Sequence, residues 1–339
     1  MADGDSGVTG GAAGATVAAL GEDGLIGSMI ARYAPPPPGV LVGPGDDAAV
    51  LDLPGRSVIS TDTLVEGYDF LRTWSTARDV GVKTAAQNLA DVAAMGARPF
   101  ALVVSLATPG DLPAAWAREL ADGLAAECAR AGAAVVGGDV SQSGEIVITG
   151  TALGLLAGPA VLRSGARAGD VVALAGVTGP SAAGLALLRA GVEAAGQTVL
   201  AELVRAHLAP QPEYAAGPIA AAAGATAMID TSDGLLRDAR RVAEASGVVL
   251  DLDPQALIPG EDLRAAEAAL PGRTSGATAS AVDWALTGGE DHALLACYPP
   301  EVPLPAPFRR IGLVHAAPEA GVLVGGRVYG GPEGWRHFR

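Results

Sequence analysis

The sequence predicts a two-domain α/β protein, and three observations carry that prediction. At 339 residues the chain exceeds the usual size of one domain. Short Val/Ile/Leu-rich runs alternate with longer segments of helical apolar spacing through both halves. Each half also places an acidic motif at a Gly/Ser/Thr turn that feeds a helix. The expected organisation is a disordered tail over 1–20, an N-terminal domain over 21–157 and a C-terminal domain over 158–339.

Residues 1–20 are Gly/Ala-rich and of low complexity, hence the expected tail. Pro35–Pro38 form a stiff run. Val40 to Leu53 carries the first acidic turn, Gly45-Asp46-Asp47-Ala48. Ser57–Thr61 reads as a strand ending at Asp62. Thr76–Gly96 reads as a helix whose Val80, Thr84, Leu89, Val92 and Ala93 share a face, with Gly96 at its C-terminal cap. A β-rich run over Phe100–Ala107, a helix over Leu112–Ala131 and a strand over Ala133–Gly137 follow, the last delivering Gly138 and Asp139 on a turn. Ile146–Leu156 is another strand, and Gly158-Pro159 marks the boundary.

In the second half, Asp170–Ala175 reads as a strand, and Ser181–Ala190 and Val199–Leu208 as helices. Ala225–Ile229 is a strand leading into Asp230-Thr231-Ser232-Asp233-Gly234 and a helix that runs to Ser246. Val248–Leu252 and His292–Cys297 are strands, the latter preceded by Thr287-Gly288-Gly289-Glu290-Asp291. Gly321–Tyr329 reads as a hairpin turning at Gly325-Gly326.

Composition excludes several functions. The net charge of −15 argues against a basic nucleic-acid-binding surface. No uninterrupted apolar run is long enough to span a membrane, and the acidic N-terminus does not resemble a signal peptide, so a cytoplasmic location is expected. Cys128 and Cys297 are too few for a disulfide framework and lack metal-ligand spacing. The only lysine, Lys83, stands in no Gly-Lys-Ser/Thr loop, and protein-kinase signatures are missing. On this reading Lys83 snorkels from its helix, and His207, His292, His315 and His337 are structural or surface residues.

What remains is a series of aspartates beside small residues. Carboxylates on turns bind hard divalent cations, and small flanking residues let phosphate approach backbone N–H groups. Asp62, with Ser60 and Thr61 before it, fits either a Mg²⁺ ligand or an Asx-turn. Asp91 lies mid-helix among apolar neighbours; if buried it needs a partner such as a metal ion, and otherwise it is a solvated or arginine-paired helix residue. The adjacent Asp46 and Asp47 favour a cation or form a surface turn. Gly137-Gly138-Asp139 offers bare backbone and a carboxylate, or is a plain strand exit. Asp230-Thr231-Ser232-Asp233-Gly234 is the strongest motif: two carboxylates and two hydroxyls at a helix N-terminus, where phosphate is favoured, or else a doubly capped helix. Arg163 offers a phosphate fork or a surface charge, Glu290 a substrate contact or a loop carboxylate, and Trp335 a stacking surface or core.

Taken in order, these motifs resemble the thiamine-monophosphate kinase family of the aminoimidazole-ribotide synthetase superfamily. The resemblance runs from about residue 21 to the end. It is carried by Gly45 to Val50, Ser60 to Gly67, Asn88 to Ala97, Gly137-Gly138-Asp139, Leu162 to Ala166, Asp230 to Leu235 and Gly288 to Asp291. It implies an N-terminal mixed sheet with helices used in dimerisation and a C-terminal α/β domain completing the cleft. It further implies ATP-dependent phosphorylation of thiamine monophosphate to the diphosphate by a homodimer using several Mg²⁺ ions. By motif position, Asp47, Ser60, Thr61, Asp62, Asp91, Asp139, Asp230 and Asp233 would bind metal. Gly138, Asp139, Arg163 and Ser232 would touch ATP, and Glu290 and Trp335 the thiamine end. Many members carry His-Phe where this chain has Tyr68-Asp69-Phe70, so Asp69 takes a substrate-contact position.

The acceptor would be a phosphate monoester, already mostly dianionic at neutral pH because its second pKa is about 6. No general base is therefore expected, and transfer should be direct and in line. Among relatives, a selenophosphate synthetase would carry a reactive Cys near a Lys in its N-terminal segment, and residues 1–40 have neither. A hydrogenase-maturation relative would end in a cysteine, whereas this chain ends Trp335-Arg336-His337-Phe338-Arg339. Another ATP-using member of the superfamily and a non-catalytic Mg-nucleotide-binding protein are the alternatives.

Overall fold

The computed structural model describes residues 15–45, 48–194, 196–270, 280–332 and 334–335. The first acidic pair, Asp46 and Asp47, lies outside the described residues, as do positions 1–14 of the expected tail.

The N-terminal half runs α1 (Val17–Ile30), β1 (Val40–Val42), β2 (Val50–Leu51), β3 (Ser57–Val65), α2 (Ala77–Ala94), β4 (Arg98–Thr108), α3 (Ala114–Ala131), β5 (Ala134–Gln142) and β6 (Val147–Leu155). β1 and β2 form a small antiparallel ribbon. The other strands make a mixed sheet in the order β3-β6-β4-β5, with only β4 and β5 parallel. One face of this sheet packs through Leu64, Leu102, Val104, Leu106, Ile148 and Ala152 onto α2 and α3. Those helices touch backbone to backbone at paired glycines. A Cβ on Gly81 would sit 2.2 Å from the Leu120 carbonyl oxygen, and one on Gly123 would sit 2.2 Å from that of Arg78.

The C-terminal half runs β7 (Val171–Ala175), α4 (Pro180–Arg189), α5 (Thr198–Leu208), α6 (Ala216–Ala222), β8 (Ala227–Asp230), α7 (Leu235–Ser246) and β9 (Val249–Leu252). It continues with α8 (Glu261–Ala269), α9 (Ala281–Thr287), β10 (Leu294–Tyr298), β11 (Arg309–His315) and β12 (Gly321–Val324). Its sheet has the order β12-β9-β11-β7-β10-β8 and is antiparallel except between β12 and β9. Gly158-Pro159 lies in the coil between β6 and β7.

Four local expectations change. Residues 17–20, read as tail, begin α1: Thr16 caps the helix by accepting from the Ala19 N–H, and Leu20 packs on the core, so low complexity did not prevent burial. Asp62 lies inside β3 rather than at its end, because pairing with β6 continues to Val65. Gly137-Gly138-Asp139 is strand, not turn, since β5 pairs with β4 as far as Gln142. The expected hairpin keeps its turn at Gly325 and Gly326, both at positive φ, but its second arm is a single bridge between Val324 and Arg327. Helix α2 follows its sequence signals more closely. Thr76 and Asp79 form a capping box, and Gly96 takes the left-handed conformation just beyond the last turn.

Candidate active site

A cavity of about 600 Å³ opens between the two halves. One wall comes from β3 (Thr61, Asp62), the turn after it (Tyr68, Asp69) and one stripe of α2 (Lys83, Gln87, Asp91). The other comes from the N-terminal end of α4 (Ser181), the turn after β8 (Ser232, Asp233), Arg241 of α7, the loop with Glu290 and His292, and Trp335. Lys83, Gln87 and Asp91 are spaced i, i+4, i+8, which puts all three on one helical face.

The acidic end is wired to the scaffold. Asn88, fully buried, donates to the Thr84 carbonyl and accepts from the Asp62 N–H at 3.0 Å, tying α2 to β3. Ser60 donates to Asp91 at 2.7 Å. Burial raises the Asp62 carboxyl above the usual range, and the charges of Asp69 and Asp230 add to this. Asp91 is pushed up to about 6 by burial and then by the charge of Asp230, against the Ser60 hydrogen bond. These acids therefore feel one another across the cleft. Asp230 ends β8 and meets His292 Nδ1 at 3.1 Å. Burial opposes protonation of His292, but Asp230 outweighs it and raises the imidazole above its ordinary range.

The turn after β8 is closed by Gly234, at φ +117, where a Cβ would stand 2.5 Å from the Thr287 carbonyl oxygen. The Asp233 carboxylate is engaged by Arg241 and, at 3.3 Å, by Arg237, and the Asp233 carbonyl accepts from the Trp335 N–H. Asp238 pairs with Arg241 and accepts from the Asp233 N–H at 3.0 Å; burial and the charge of Asp230 push it up to about 7.

At the opposite end, Lys83 Nζ lies 2.8 Å from Glu290 Oε1, and His207 Nδ1 lies 3.1 Å from Glu290 Oε2. Burial alone would raise the Glu290 carboxyl, but Lys83 and His207 hold it well below the usual range. Glu290 and His292 both take positive φ, 65° and 52°. Between them Asp291 accepts from the N–H groups of Gly179 and Ser181 at the start of α4, yet burial pushes its carboxyl up to about 7.

The structure thus brings Thr61, Asp62, Asp69, Asp91, Ser232, Asp233, Glu290 and Trp335 around one cavity, with Ser60 and Asp230 bonded to its lining. Gly138, Asp139 and Arg163 stand outside that lining. Gly138 and Asp139 are exposed on β5, three strands from β3, about 14 Å at ordinary strand spacing. Arg163 is exposed, and its carbonyl accepts from Ser246. The Asp69 carboxylate accepts from the Val65 N–H, so part of its bonding serves its own turn.

Lys83 does not snorkel: its side chain is 3% exposed and ion-paired. His207 and His292, read as structural or surface, line the cavity with Arg189 and Arg241. Only Lys83 had a usable signal, as the one lysine in register with Asp91.

The donors Ser60, Thr61, Asp62, Asp91 and Asp230 are all oxygen, the chemistry that suits Mg²⁺ rather than a soft metal. Asp62 and Asp91 are both raised by burial and then by neighbouring acids, Asp230 among them in each case, and a cation would relieve that crowding, so the residues fit the ion. Among the described residues, no three His, Cys, Asp or Glu side chains already stand in ligand geometry.

The AIR synthase related protein N-terminal domain matches residues 45–156, and the corresponding C-terminal domain matches 167–320. A thiamine-monophosphate kinase of Mycobacterium tuberculosis is 48% identical over 95% of this chain and 93% of its own. The crystal structure of thiamine-monophosphate kinase from Stenotrophomonas maltophilia K279a superposes with TM-score 0.76 at 32% identity, covering 89% of this chain and 96% of that one. AaThiL complexed with AMPPCP and TMP superposes with TM-score 0.75 at 32% identity, covering 83% and 87%.

Proposed function

The chain belongs to the thiamine-monophosphate kinase family of AIR synthase related proteins, and from that premise we propose that it transfers the γ-phosphoryl group of ATP to thiamine monophosphate, giving thiamine diphosphate. It is a kinase, with ATP as co-substrate. The observation that carries this reading is the cavity itself. An acidic, oxygen-rich end at Asp62, Asp91 and Asp230 faces an ionised carboxylate, Glu290, at the other end. The first suits a metal-bound polyphosphate and the second a cationic ring.

Two polyanions must meet here. Unit charges about 4 Å apart repel by about 4 kcal/mol at an effective dielectric of 20. Mg²⁺ held by Ser60, Thr61, Asp62, Asp91 and Asp230 would supply the neutralising charge. The Asp47 position adjoins the same motif series but lies outside the described residues. The protein's own part is positional. Asn88 fixes β3 against α2, Ser60 orients Asp91, and Arg241 fixes the Ser232-Asp233 turn at the N-terminus of α7. No side chain is required as a base, because the acceptor oxygen is already ionised. Transfer is in line, and chiral γ-phosphate should emerge inverted; retention would require a phosphoenzyme and overturn this route.

We read the working form as a cytoplasmic homodimer. The sheet face away from α2 and α3 supports this: Ile59 is 68% exposed there, beside half-exposed Thr149, Thr151 and Val103. Within such a dimer, Gly138, Asp139 and Arg163 are candidates for nucleotide contact. Among the described residues, no helix is long and apolar enough to cross a membrane. The test of the function is ADP release on adding thiamine monophosphate with Mg²⁺. Release that ignores either addition counts against it.

A further inference from the structure

Lys83 sits where three parts of the cavity wall converge. Its Nζ reaches Glu290 Oε1 at 2.8 Å and the Asp69 carbonyl at 3.2 Å. Glu290 in turn meets His207, whose Nδ1 also lies 3.1 Å from Ser181 Oγ at the start of α4. The Glu290 N–H donates to the Ser232 carbonyl at 2.8 Å. One ammonium on α2 therefore connects the turn after β3 with the 288–292 loop, and through His207 with α4 and α5. Its own side chain is closed off at 3% exposure, whereas Glu290 keeps 34%. Lys83 offers a ligand almost no surface of its own, whereas the carboxylate it holds stays open.

The backbone shows why holding is needed. Glu290 occupies the left-handed region at φ 65, which a side chain of this size adopts only when its surroundings fix it. Without the ammonium, a partly buried carboxylate on a strained loop would lose its aim and its ionised state would be penalised.

We propose that Lys83 is a positioning residue for the phosphoryl acceptor, fixing Glu290 and the Tyr68-Asp69 turn as the walls of a subsite for a cationic ring. This rests on the acceptor being thiamine monophosphate, whose thiazolium carries a permanent positive charge. The nucleotide end depends on different groups, so loss of Lys83 must act on one substrate only.

The experiment is two-substrate kinetics on Lys83→Met, which keeps the stem and removes the charge. KM for thiamine monophosphate should rise at least about tenfold while KM for ATP stays within about twofold. Calorimetric binding of unphosphorylated thiamine should weaken by a similar factor, about tenfold, since the cation is the part affected. The double variant with Glu290→Gln should bind thiamine no worse than about twofold below the weaker single variant, because the two side chains act as one unit. A fall in melting temperature with both KM values unchanged, or an equal rise in both, overturns the proposal. Should Lys83→Met not fold, His207→Gln decides it. That variant leaves the ammonium in place and loosens Glu290, so it should raise KM for thiamine monophosphate alone, and an unmoved value overturns the proposal. Wild-type protein with no thiamine-monophosphate-dependent ADP release would instead sink the parent reading.

Discussion

Two buried ionic groups join the halves of this molecule, and they are built differently. At the cavity, Lys83 and His207 share Glu290, and that carboxylate remains partly open. Elsewhere at the junction, Glu127 of α3 is 3% exposed and fully committed. Arg130 reaches both its oxygens, and Tyr214, from the segment before α6, donates to it at 2.6 Å. Arg130 also donates to the Pro212 carbonyl and lies 4.6 Å over the Tyr214 ring. Burial and the Glu127 charge raise the Tyr214 phenol well above its usual range, so it stays a donor. A satisfied group of this kind secures a joint. A group with one open carboxylate secures the joint and also presents charge to whatever fills the cavity.

That contrast can be broken by experiment, beginning with the largest effect. Asp62→Asn or Asp91→Asn, at the acidic end of the cavity, should cut turnover by about a hundredfold or more, roughly 2.7 kcal/mol of transition-state stabilisation. Folding should survive, because Asp91 already resists ionisation; circular dichroism and steady-state turnover check this, and near-native turnover in either variant contradicts the metal assignment. Glu127→Ala should do the reverse. It strands the Tyr214 hydroxyl and the half-exposed Arg130, costing about 2 kcal/mol of stability, while activity per folded molecule holds. Denaturant melts with parallel assays would refute the contrast if turnover fell with Glu127 and stability did not. Tyr214→Phe removes one hydrogen bond from the same anchor and should cost about 1 kcal/mol by the same melts.

The smallest effect is a pH dependence at Asp291. Its folded carboxyl titrates at about 7, above the ordinary range of about 4. Between those values the folded protein keeps a proton that the unfolded chain has lost. This group's contribution to stability therefore declines as pH rises through that window and is least favourable above it. Asp291→Asn should thus compare better with wild type at pH 8 than at pH 5 in melting temperature. A difference that does not change with pH would place the titration elsewhere.

How much of this was legible beforehand depends on whether the signal was local. Helix α2 could be read because its capping box, apolar face and terminal glycine are all encoded within its own residues. Asp62, Asp91 and the Asp230–Asp233 turn could be picked out because acids beside small residues are conspicuous in one dimension. Strand ends could not, since pairing with β6 and β4 decides how far β3 and β5 continue. Sheet order also escaped, and with it the separation of Asp139 from Asp62. The roles of Lys83, His207 and His292 depend on partners between 62 and 207 positions away, beyond any local pattern. Helix α1 was missed because alanine-rich sequence can signal either slack chain or a close-packed interface.

The burial of Lys83 has a practical corollary. As the chain's one lysine, it leaves the described surface without a side-chain amine. Acylating dyes and amine-directed cross-linkers therefore find no lysine to modify on the native molecule. The slow appearance of label at that single position would time how often the two halves part.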